Sequence, residues 1–405
     1  MTANLTVDVV ASADRRSVIV AAARTPVGRF GGALRDVPAV ELGAVAIREA
    51  VKRATASAAS FDANAPGAID YVLMGNVLQA GLGQNTARQA AVGADLPVHV
   101  PAMTLNKVCL ASLAGIALAD QLIRSGDVEV VVAGGMESMS QAPHVLRDLR
   151  WGHRLGDAPL VDVAVYDGLW STFTDQHMGE SSDDVNDELG IGREEQDAWA
   201  ARSHHRAAAA WDDGRFADEV VATSLGRDEG VRPTTSPEQL AQLRPAFHPA
   251  GTITAGNASQ QSDGAACVVV MSADRAEALG LEPLAEMVAH GMSAEQYAYL
   301  HTVPAVALQR ALKKAGLDVD SLDLIEINEA FASVALHSTR MLGADESRVN
   351  VNGGSVALGH ALGSTGARMV VTLIHELRRR GGRFGAVTSC GGGGQGEALV
   401  LRSCR

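Results

Sequence analysis

Cys109 is the residue of this sequence with the clearest potential for nucleophilic chemistry. It lies between a short apolar run, residues 101–105, and a helix-like run that is almost wholly apolar until Asp120. The first turn of a helix carries unpaired backbone N–H groups and the positive end of the helix dipole. A thiol placed there is expected to have a lowered pKa and to act as a nucleophile near neutral pH. The alternative is a buried structural cysteine that behaves as a small hydrophobic residue.

His360 and Cys390 offer what a cysteine nucleophile needs. His360 stands in a Gly-His-Ala-Leu-Gly turn before a second helix-like run, and histidine has a suitable pKa to activate a thiol. Taken alone, such a histidine is more often a local hydrogen-bonding residue. Cys390 ends a buried strand-like run and precedes four consecutive glycines. A cysteine at a strand end would by itself be structural, but backbone N–H groups approaching a ligand oxygen would explain the glycines.

Asn328 and Glu329 stand where a buried strand-like run meets a helix-like run. Two interpretations are open. The pair could cap the helix N-terminus, or the Asn328 amide could orient a water or polarise a carbonyl group.

The elements that must position these residues alternate along the chain. This alternation predicts an α/β fold with a sheet covered on both faces. Residues 1–16 are predicted to be a loose tail. Helices are expected at about 40–52, 193–211, 303–315, 331–342 and 364–380, and strands at 17–23, 69–74, 128–133, 264–271, 322–327 and 384–389.

Two stretches share one outline and predict an internal repeat. Each has a turn, a buried helix, a basic residue followed within two positions by glycine, a strand and a glycine-rich end. A true repeat would place two helices side by side between two sheets, with Cys109 facing His360; chance similarity of two βαβ units is the alternative. The predicted organisation is an N-terminal half (1–140 and 261–285), an inserted domain (141–260) and a C-terminal half (286–405).

Composition excludes several classes of partner. The 405 residues, 47% of them hydrophobic, are enough for two or three domains. The net charge of −13 argues against nucleic acid or an anionic membrane. The four cysteines show neither a disulfide framework nor metal-ligand spacing. No secretory signal and no run of membrane-spanning length is apparent, so we expect a soluble cytoplasmic protein without a metal.

The motifs together resemble those of the thiolases, the acyl-CoA C-acetyltransferases, from about Val18 to the C-terminus. Each motif is weak to moderate alone, but the set in this order is specific. The matching stretches are 23–26, 83–89, the Cys109 turn, 134–138, 177–180, 254–259, 328–332, 352–368 and 390–396.

This resemblance implies a thiolase-like five-layered α/β/α/β/α fold built from two repeated α/β halves. It implies ping-pong Claisen condensation of two acyl-CoAs and the reverse thiolysis. Cys109 would be the acylated nucleophile, and His360 the base that draws its proton and helps bind the thioester oxygen. Cys390 would move a proton to or from the α-carbon of the second acetyl-CoA. Asn328 would hold a water in one oxyanion hole, and the backbone N–H groups of Cys109 and Gly392 would form the other.

The inserted segment resembles the family's coenzyme A-binding loop domain. His177 and Met178 would edge the acyl pocket, Arg232 would lie near the adenine or its phosphate, and Ser259 would hold the pantetheine amides. The expected walls of the pantetheine channel are Phe247, Ala255 and Phe331, with ordinary core as the alternative for the two phenylalanines. Coenzyme A is expected as a substrate with no further cofactor, and a homo-oligomer, dimer or tetramer, is expected.

Departures from the family pattern bear on substrate choice. Leu110 follows the nucleophile where the family usually has a smaller residue, so we expect it to reshape the acyl pocket. Ala361 replaces the usual proline after His360, and residues 298–304 lack the Met-Gly-x-Gly-Pro run that commonly borders the substrate. His177-Met178 favours short-chain substrates, whereas Gln395 is more typical of degradative members.

Two other classes of function fit the sequence less well. A decarboxylating ketoacyl synthase shares the fold and uses a cysteine, but Cys390 and the Asn328 motif argue against it. A thiolase-like lipid-binding or scaffold protein would lack a catalytic residue, and none is missing.

Overall fold

The computed structural model of the chain describes residues 15–404. Most of the predicted N-terminal tail therefore lies outside the described residues. The strands are β1 (Ser17–Arg24), β2 (Gly28–Arg29), β3 (Tyr71–Gly75), β4 (Ala102–Leu105), β5 (Val130–Ser138), β6 (His144–Val145), β7 (Val161–Asp162), β8 (Trp170–Ser171), β9 (Gln176–His177), β10 (Ser262–Ser272), β11 (Ala285–Ala294), β12 (Leu324–Ile327), β13 (Phe384–Gly391) and β14 (Gln395–Ser403). The α-helices are α1 (Ala39–Ser57), α2 (Thr86–Gly93), α3 (Ala111–Ser125), α4 (Val163–Tyr166), α5 (Met178–Leu189), α6 (Arg193–Asp212), α7 (Pro237–Leu240), α8 (Ala273–Leu279), α9 (Val303–Ala315), α10 (Ala332–Leu342), α11 (Ser355–Leu358) and α12 (Thr365–Arg380).

The two halves repeat one strand topology. In the first half β3 is parallel to β5, β5 is antiparallel to β10, and β10 is antiparallel to β1. In the second half β12, β13, β14 and β11 follow the same sequence of pairings. The edge strand β4 has as its counterpart a single parallel bridge between Ile325 and Val349. This confirms the predicted repeat.

The two half-sheets are hydrogen-bonded into one sheet, whereas two separate sheets were expected. Val18 pairs with Glu286 and Ile19 with Ala285, which joins β1 to β11. Register shifts follow at once, in β1 after Ile19 and in β11 after Met287. Such bulges bend a sheet, so the short junction allows the two halves to fold over a shared layer of helices.

The helices complete five layers, as predicted. Helices α1 and α2 cover the outer face of the first half, and α9 and α10 that of the second. Helices α3 and α12 contact each other and strands of both halves, so they form the central layer. A Cβ atom at Gly366 of α12 would lie 2.7 Å from the Leu113 Cβ of α3, which shows how closely the two helices approach.

The central helix α3 corrects one expectation. Within the described residues, Val108–Ser125 is long and apolar enough to cross a membrane, with a mean hydropathy of 1.4. The prediction that no run reaches that length was therefore wrong. In the structure 61% of this stretch is buried, and a helix enclosed between two half-sheets must be apolar on most of its faces.

The segment 141–260 packs on both halves. It carries the short hairpins β6–β7 and β8–β9 and the helices α4 to α7. Helix α6 contacts α10 and α11 of the second half. Arg24 of β1 is fully buried, and its guanidinium donates to Glu219 at 2.6 Å and to Asp228 at 2.7 Å. The segment is thereby tied to the first half by buried ion pairs.

Candidate active site

Cys109 lies in a tight turn before α3. Val108 has a φ of 50°, in the left-handed region, and its N–H donates to the Asn106 Oδ1 atom at 3.0 Å. The Leu110 N–H donates to the Lys107 carbonyl oxygen, and the chain then enters α3. A left-handed conformation costs an L-residue about 1–2 kcal/mol. The backbone is therefore strained at Val108, the residue directly before the buried cysteine.

The environment of Cys109 opposes ionisation. The backbone N–H groups of Cys109 and Gly392 donate toward its sulfur and favour the thiolate. Burial outweighs them and raises the pKa of Cys109 to about 12, with a small contribution from the Glu137 charge. The predicted lowering of this pKa at the helix N-terminus was therefore wrong. Cys109 is therefore a neutral thiol near neutral pH and requires a base.

His360 is held in the tautomer that a base needs. Its Nδ1 atom lies 2.7 Å from the Thr365 hydroxyl, which donates its own proton to the Ala361 carbonyl oxygen at 2.9 Å. The hydroxyl can therefore only accept from His360, so Nδ1 carries the hydrogen and Nε2 has a free lone pair. Burial, and then the Arg368 guanidinium, lower the pKa of His360 to about 3. The imidazole is neutral and able to take a proton through Nε2.

Asn328 follows β12 and is completely buried. Its Oδ1 atom accepts from the Ser355 hydroxyl at 2.6 Å, and its Nδ2 atom lies 3.5 Å from His360 Nε2. Helix α10 begins later, at Ala332, with Phe331 as its N-cap residue. The interpretation of Asn328 and Glu329 as an N-cap pair is therefore wrong, and the Asn328 amide lies beside the imidazole.

Glu137 joins the turns of the two halves, although the sequence did not identify it as a site residue. Its carboxylate accepts from Asn76 Nδ2 at 2.7 Å, Val77 N at 3.0 Å, Leu78 N at 3.1 Å and Gly363 N at 2.9 Å. Gly363 belongs to the His360 turn, and the other three donors follow β3. Burial raises the pKa of Glu137 to about 7 against these donors.

Cys390 is buried near the end of β13, and the following glycines form the turn into β14. Gly393 and Gly394 have φ values of 79° and 66°, which suit glycine. Burial raises the pKa of Cys390 above its usual range, and a charge on Cys109 raises it further. The two thiols are therefore close enough to influence each other electrostatically.

These elements line a cavity of about 120 Å³. Nine predicted site residues line it: Cys109, His177, Met178, Phe247, Ser259, Phe331, His360, Cys390 and Gly392. Asn328 reaches it through His360. Arg232 and Ala255 are exposed and lie outside this lining.

Further lining residues were not predicted. They are Met139, Leu169, Ala258, Gln260, Gln261, Leu300, Ala330, Leu362 and Gly391. Leu300 belongs to residues 298–304, which lack the family's Met-Gly-x-Gly-Pro run. Without that run the sequence contained no motif that would identify Leu300 as a lining residue. Leu110, by contrast, does not line the cavity. It is buried beneath Gly391, which does line the cavity, so the expected effect of Leu110 on the acyl pocket would pass through that glycine and stays a prediction.

Aromatic rings form one wall of the cavity. The His177 ring stacks on Phe247 with centroids 4.5 Å apart, and Phe247 meets Phe331 edge-on at 6.1 Å. His177 Nδ1 accepts from the Gly179 N–H at 3.0 Å, and burial lowers the pKa of His177. A side chain at Gly179 would collide with the Phe247 ring. This wall is neutral, flat and fixed in place.

The fold and the cavity define an α/β protein with a cysteine, a histidine and a second cysteine converging from two repeated halves. The family model "Thiolase, N-terminal domain" matches residues 17–274, and "Thiolase, C-terminal domain" matches residues 281–403. The chain belongs to the thiolase family, as predicted.

Curated relatives match nearly the whole chain. A "Probable acetyl-CoA acetyltransferase" of Mycolicibacterium smegmatis is 52% identical over 395 residues, which cover 95% of this chain and 100% of the relative. The "Acetyl-CoA acetyltransferase" of Pseudomonas aeruginosa is 49% identical and covers 95% of this chain and 98% of the relative. That of Cupriavidus necator is 47% identical with the same coverage.

Proposed function

We propose that this thiolase condenses two molecules of acetyl-CoA to acetoacetyl-CoA and CoA, and cleaves 3-ketoacyl-CoA by thiolysis in the reverse direction, through an acyl-Cys109 intermediate. The observation that carries the proposal is that Cys109, His360 and Cys390 line one cavity although they come from different halves. The names of the relatives support acetyl-CoA as the substrate.

In the first half-reaction His360 Nε2 takes the proton of the Cys109 thiol as the sulfur attacks the thioester carbonyl carbon. Because the pKa of Cys109 is about 12 and that of His360 about 3, this transfer is unfavourable as a separate step. We infer that it accompanies the attack. The N–H groups of Cys109 and Gly392 stabilise the oxyanion. CoA leaves with the proton of Cys390, so acyl-Cys109, an imidazolium and a Cys390 thiolate remain.

In the second half-reaction the Cys390 thiolate removes an α-proton from the second acetyl-CoA. The enolate oxygen is stabilised by the His360 imidazolium and by a water held by Asn328. The α-carbon attacks the acyl carbon, and the bond from that carbon to the Cys109 sulfur breaks. Cys109 recovers its proton from His360, which returns every group to its starting state.

The cavity wall fits the pantetheine arm of CoA. His177, Phe247 and Phe331 form its aromatic side, with Met178 and Ser259 nearby in the lining. Arg232 is exposed, which suits a contact with the adenine or its phosphate outside the cavity. Ala255 is exposed as well, so as a wall of the pantetheine channel it would lie outside the cavity lining. CoA acts as a substrate, and the reaction as written requires neither a metal nor a further cofactor.

We propose a cytoplasmic homo-oligomer, dimer or tetramer, that serves fatty acid metabolism, including β-oxidation. Exposed Leu149, Trp151 and Leu155, which lie between β6 and β7, support self-association. The net charge of −13 supports partners other than nucleic acid or membranes. Light scattering after size-exclusion chromatography tests the assembly, and a monomer at micromolar concentration would contradict it.

A thiolysis assay with acetoacetyl-CoA and with longer or branched 3-ketoacyl-CoAs tests the activity. The wild type is expected to cleave at least the four-carbon substrate, and Cys109→Ala to cleave none. Cys390→Ser is expected to acylate Cys109 from labelled acetyl-CoA but not to condense. Absence of cleavage at every chain length by the wild type would overturn the proposal.

A further inference from the structure

Asn328 ends a chain of buried polar side chains that begins at an ion pair. Arg368 of α12 donates through Nη1 to Glu326 at 3.3 Å and through Nη2 to the Ser355 Oγ atom at 3.4 Å. Ser355 donates to the Asn328 Oδ1 atom at 2.6 Å, and Asn328 Nδ2 lies 3.5 Å from His360 Nε2. All five side chains are buried, so their hydrogen bonds are made within the protein.

The hydrogen bonds of this series of side chains all run in one direction, from donor Arg368 toward acceptor Asn328. A guanidinium can only donate, so the Ser355 oxygen accepts from Arg368. A serine hydroxyl has one proton, and here it goes to the Asn328 carbonyl oxygen. The Asn328 amide must therefore present its N–H groups, and not its oxygen, toward His360.

His360, at the other end of this hydrogen-bonded series, imposes the same orientation on the Asn328 amide. The Thr365 hydroxyl donates to the Ala361 carbonyl oxygen, so His360 carries its hydrogen on Nδ1 and presents the Nε2 lone pair to Asn328. A flipped amide would place its oxygen against that lone pair, and the Ser355 proton would lose the acceptor that Asn328 Oδ1 provides. The first contact would be repulsive, and the second change would leave a buried donor unpaired.

We propose that Ser355 and Arg368 are positioning residues that fix the polarity of the Asn328 carboxamide, so that it donates to the water or oxyanion of the second half-reaction. The inference rests on the proposed function. Neither residue lines the cavity, so each acts through Asn328. Arg368 sets the direction and Ser355 transmits it.

A double-mutant cycle of Ser355→Ala and Asn328→Ala tests the inference. Ser355→Ala is expected to lower kcat for condensation about tenfold, less than the about 10²-fold or greater loss of a removed oxyanion donor, because the amide would only lose its preferred orientation. KM for acetyl-CoA is expected to stay within about twofold. In the Asn328→Ala background the serine substitution should change kcat by less than about twofold, because the group it orients is gone.

The two half-reactions give a second readout. Acylation of Cys109 by labelled acetyl-CoA uses the N–H groups of Cys109 and Gly392, so Ser355→Ala should alter its rate by less than about threefold. Ser355→Thr keeps the hydroxyl and should recover most of the condensation rate. Ser17→Ala is the matched control, because Ser17 is also fully buried and also donates to a side-chain oxygen, that of Asp120, outside the site.

Equal losses from Ser355→Ala in both backgrounds would overturn the inference, as would equal losses in both half-reactions. If Ser355→Ala does not fold, the cycle is run with Ser355→Cys, whose thiol is a weaker donor of similar size. A wild type that turns over, with a Ser355→Ala variant just as active, contradicts the inference alone. A wild type without turnover contradicts the proposed function.

Discussion

Leu110 lies directly beneath Gly391, so that a Cβ atom at position 391 would come within 2.6 Å of the Leu110 Cγ atom. The residue after the nucleophile thus supports the backbone that follows the second cysteine. The size of the Leu110 side chain therefore affects the site by setting the position of the glycine turn.

Gly391→Ala is expected to lower activity strongly and to destabilise the protein by about 1–3 kcal/mol, as overpacking of a core does. Leu110→Ala alone is expected to cost about 2–5 kcal/mol by leaving a cavity. The double variant should be more stable than the sum of the two losses predicts, because the new methyl group enters the space that Leu110 left. Urea unfolding of the four proteins measures this, and strict additivity would contradict the contact.

Alkylation of Cys109 by iodoacetamide is expected to accelerate about tenfold per pH unit between pH 7 and pH 9, because burial raises its pKa to about 12 and the thiolate fraction grows with pH throughout. Mass spectrometry of the Cys109 peptide follows the rate, and Cys109→Ser is the blank. A rate that levels off near pH 7 would show a preformed thiolate instead.

Val108→Asn and Val108→Ala remove the same branched side chain but differ in their tolerance of a positive φ. Asparagine adopts the left-handed region more readily than alanine. We therefore expect Val108→Asn to be more stable than Val108→Ala by about 1 kcal/mol in denaturant unfolding. Equal stability of the two variants would mean that the turn relaxes when the valine is replaced.

Glu137→Gln is expected to destabilise the protein by about 2–4 kcal/mol and to lower kcat at least about 10²-fold. The reason is that the glutamine NH₂ group would replace one carboxylate oxygen and would face N–H donors that this oxygen now accepts from. The loss of the Gly363 contact would also free the His360 turn. The exposed Glu194→Gln serves as control in the same thermal and kinetic measurements. An active, stable Glu137→Gln variant would show that this connection between the halves is dispensable.

His301 is buried, and burial, then His337, lower its pKa to about 3. An unfolded chain takes up a proton at this residue below about pH 6.5, whereas the folded protein does not. His301 therefore causes stability to fall as the pH falls from about 6.5 toward 3. We expect His301→Gln to reduce that slope by up to about 1.4 kcal/mol per pH unit.

Urea unfolding between pH 7 and pH 4.5 measures this slope, with the exposed His99→Gln as control. An unchanged slope in His301→Gln would contradict the assignment, and so would an equal reduction in the control.

Local pattern predicted much of the fold and three of the eighteen residues that line the cavity, and the family resemblance added six more. Alternating apolar runs placed the strands and helices. The position before an apolar helix indicated Cys109, and glycine-rich turns indicated His360 and Cys390. These are features of neighbouring residues, which a sequence displays directly.

Contacts over long chain distances were not predictable in this way. Ser355 meets Asn328, and Arg368 of α12 meets Ser355, only once distant segments of the chain pack together. The tautomer of His360 depends on the two hydrogen bonds of the Thr365 hydroxyl, which are local but follow from side-chain geometry. The pKa of Cys109 was predicted in the wrong direction because the helix-terminus rule omits desolvation, which dominates in a buried site. The Leu110 side chain packs against the turn at Gly391, which lies far along the chain, so its neighbours in sequence do not reveal this contact.

The repeat of α3 and α12 in one central layer has a consequence for how such a site can arise. Two identical chains related by a twofold axis would bring identical turns together, two thiols or two imidazoles, and never one of each. Joining both copies in a single polypeptide removes that restriction. The broken symmetry lets one turn carry Cys109 and the other His360, so the chemical asymmetry of nucleophile and base depends on covalent fusion of the two halves.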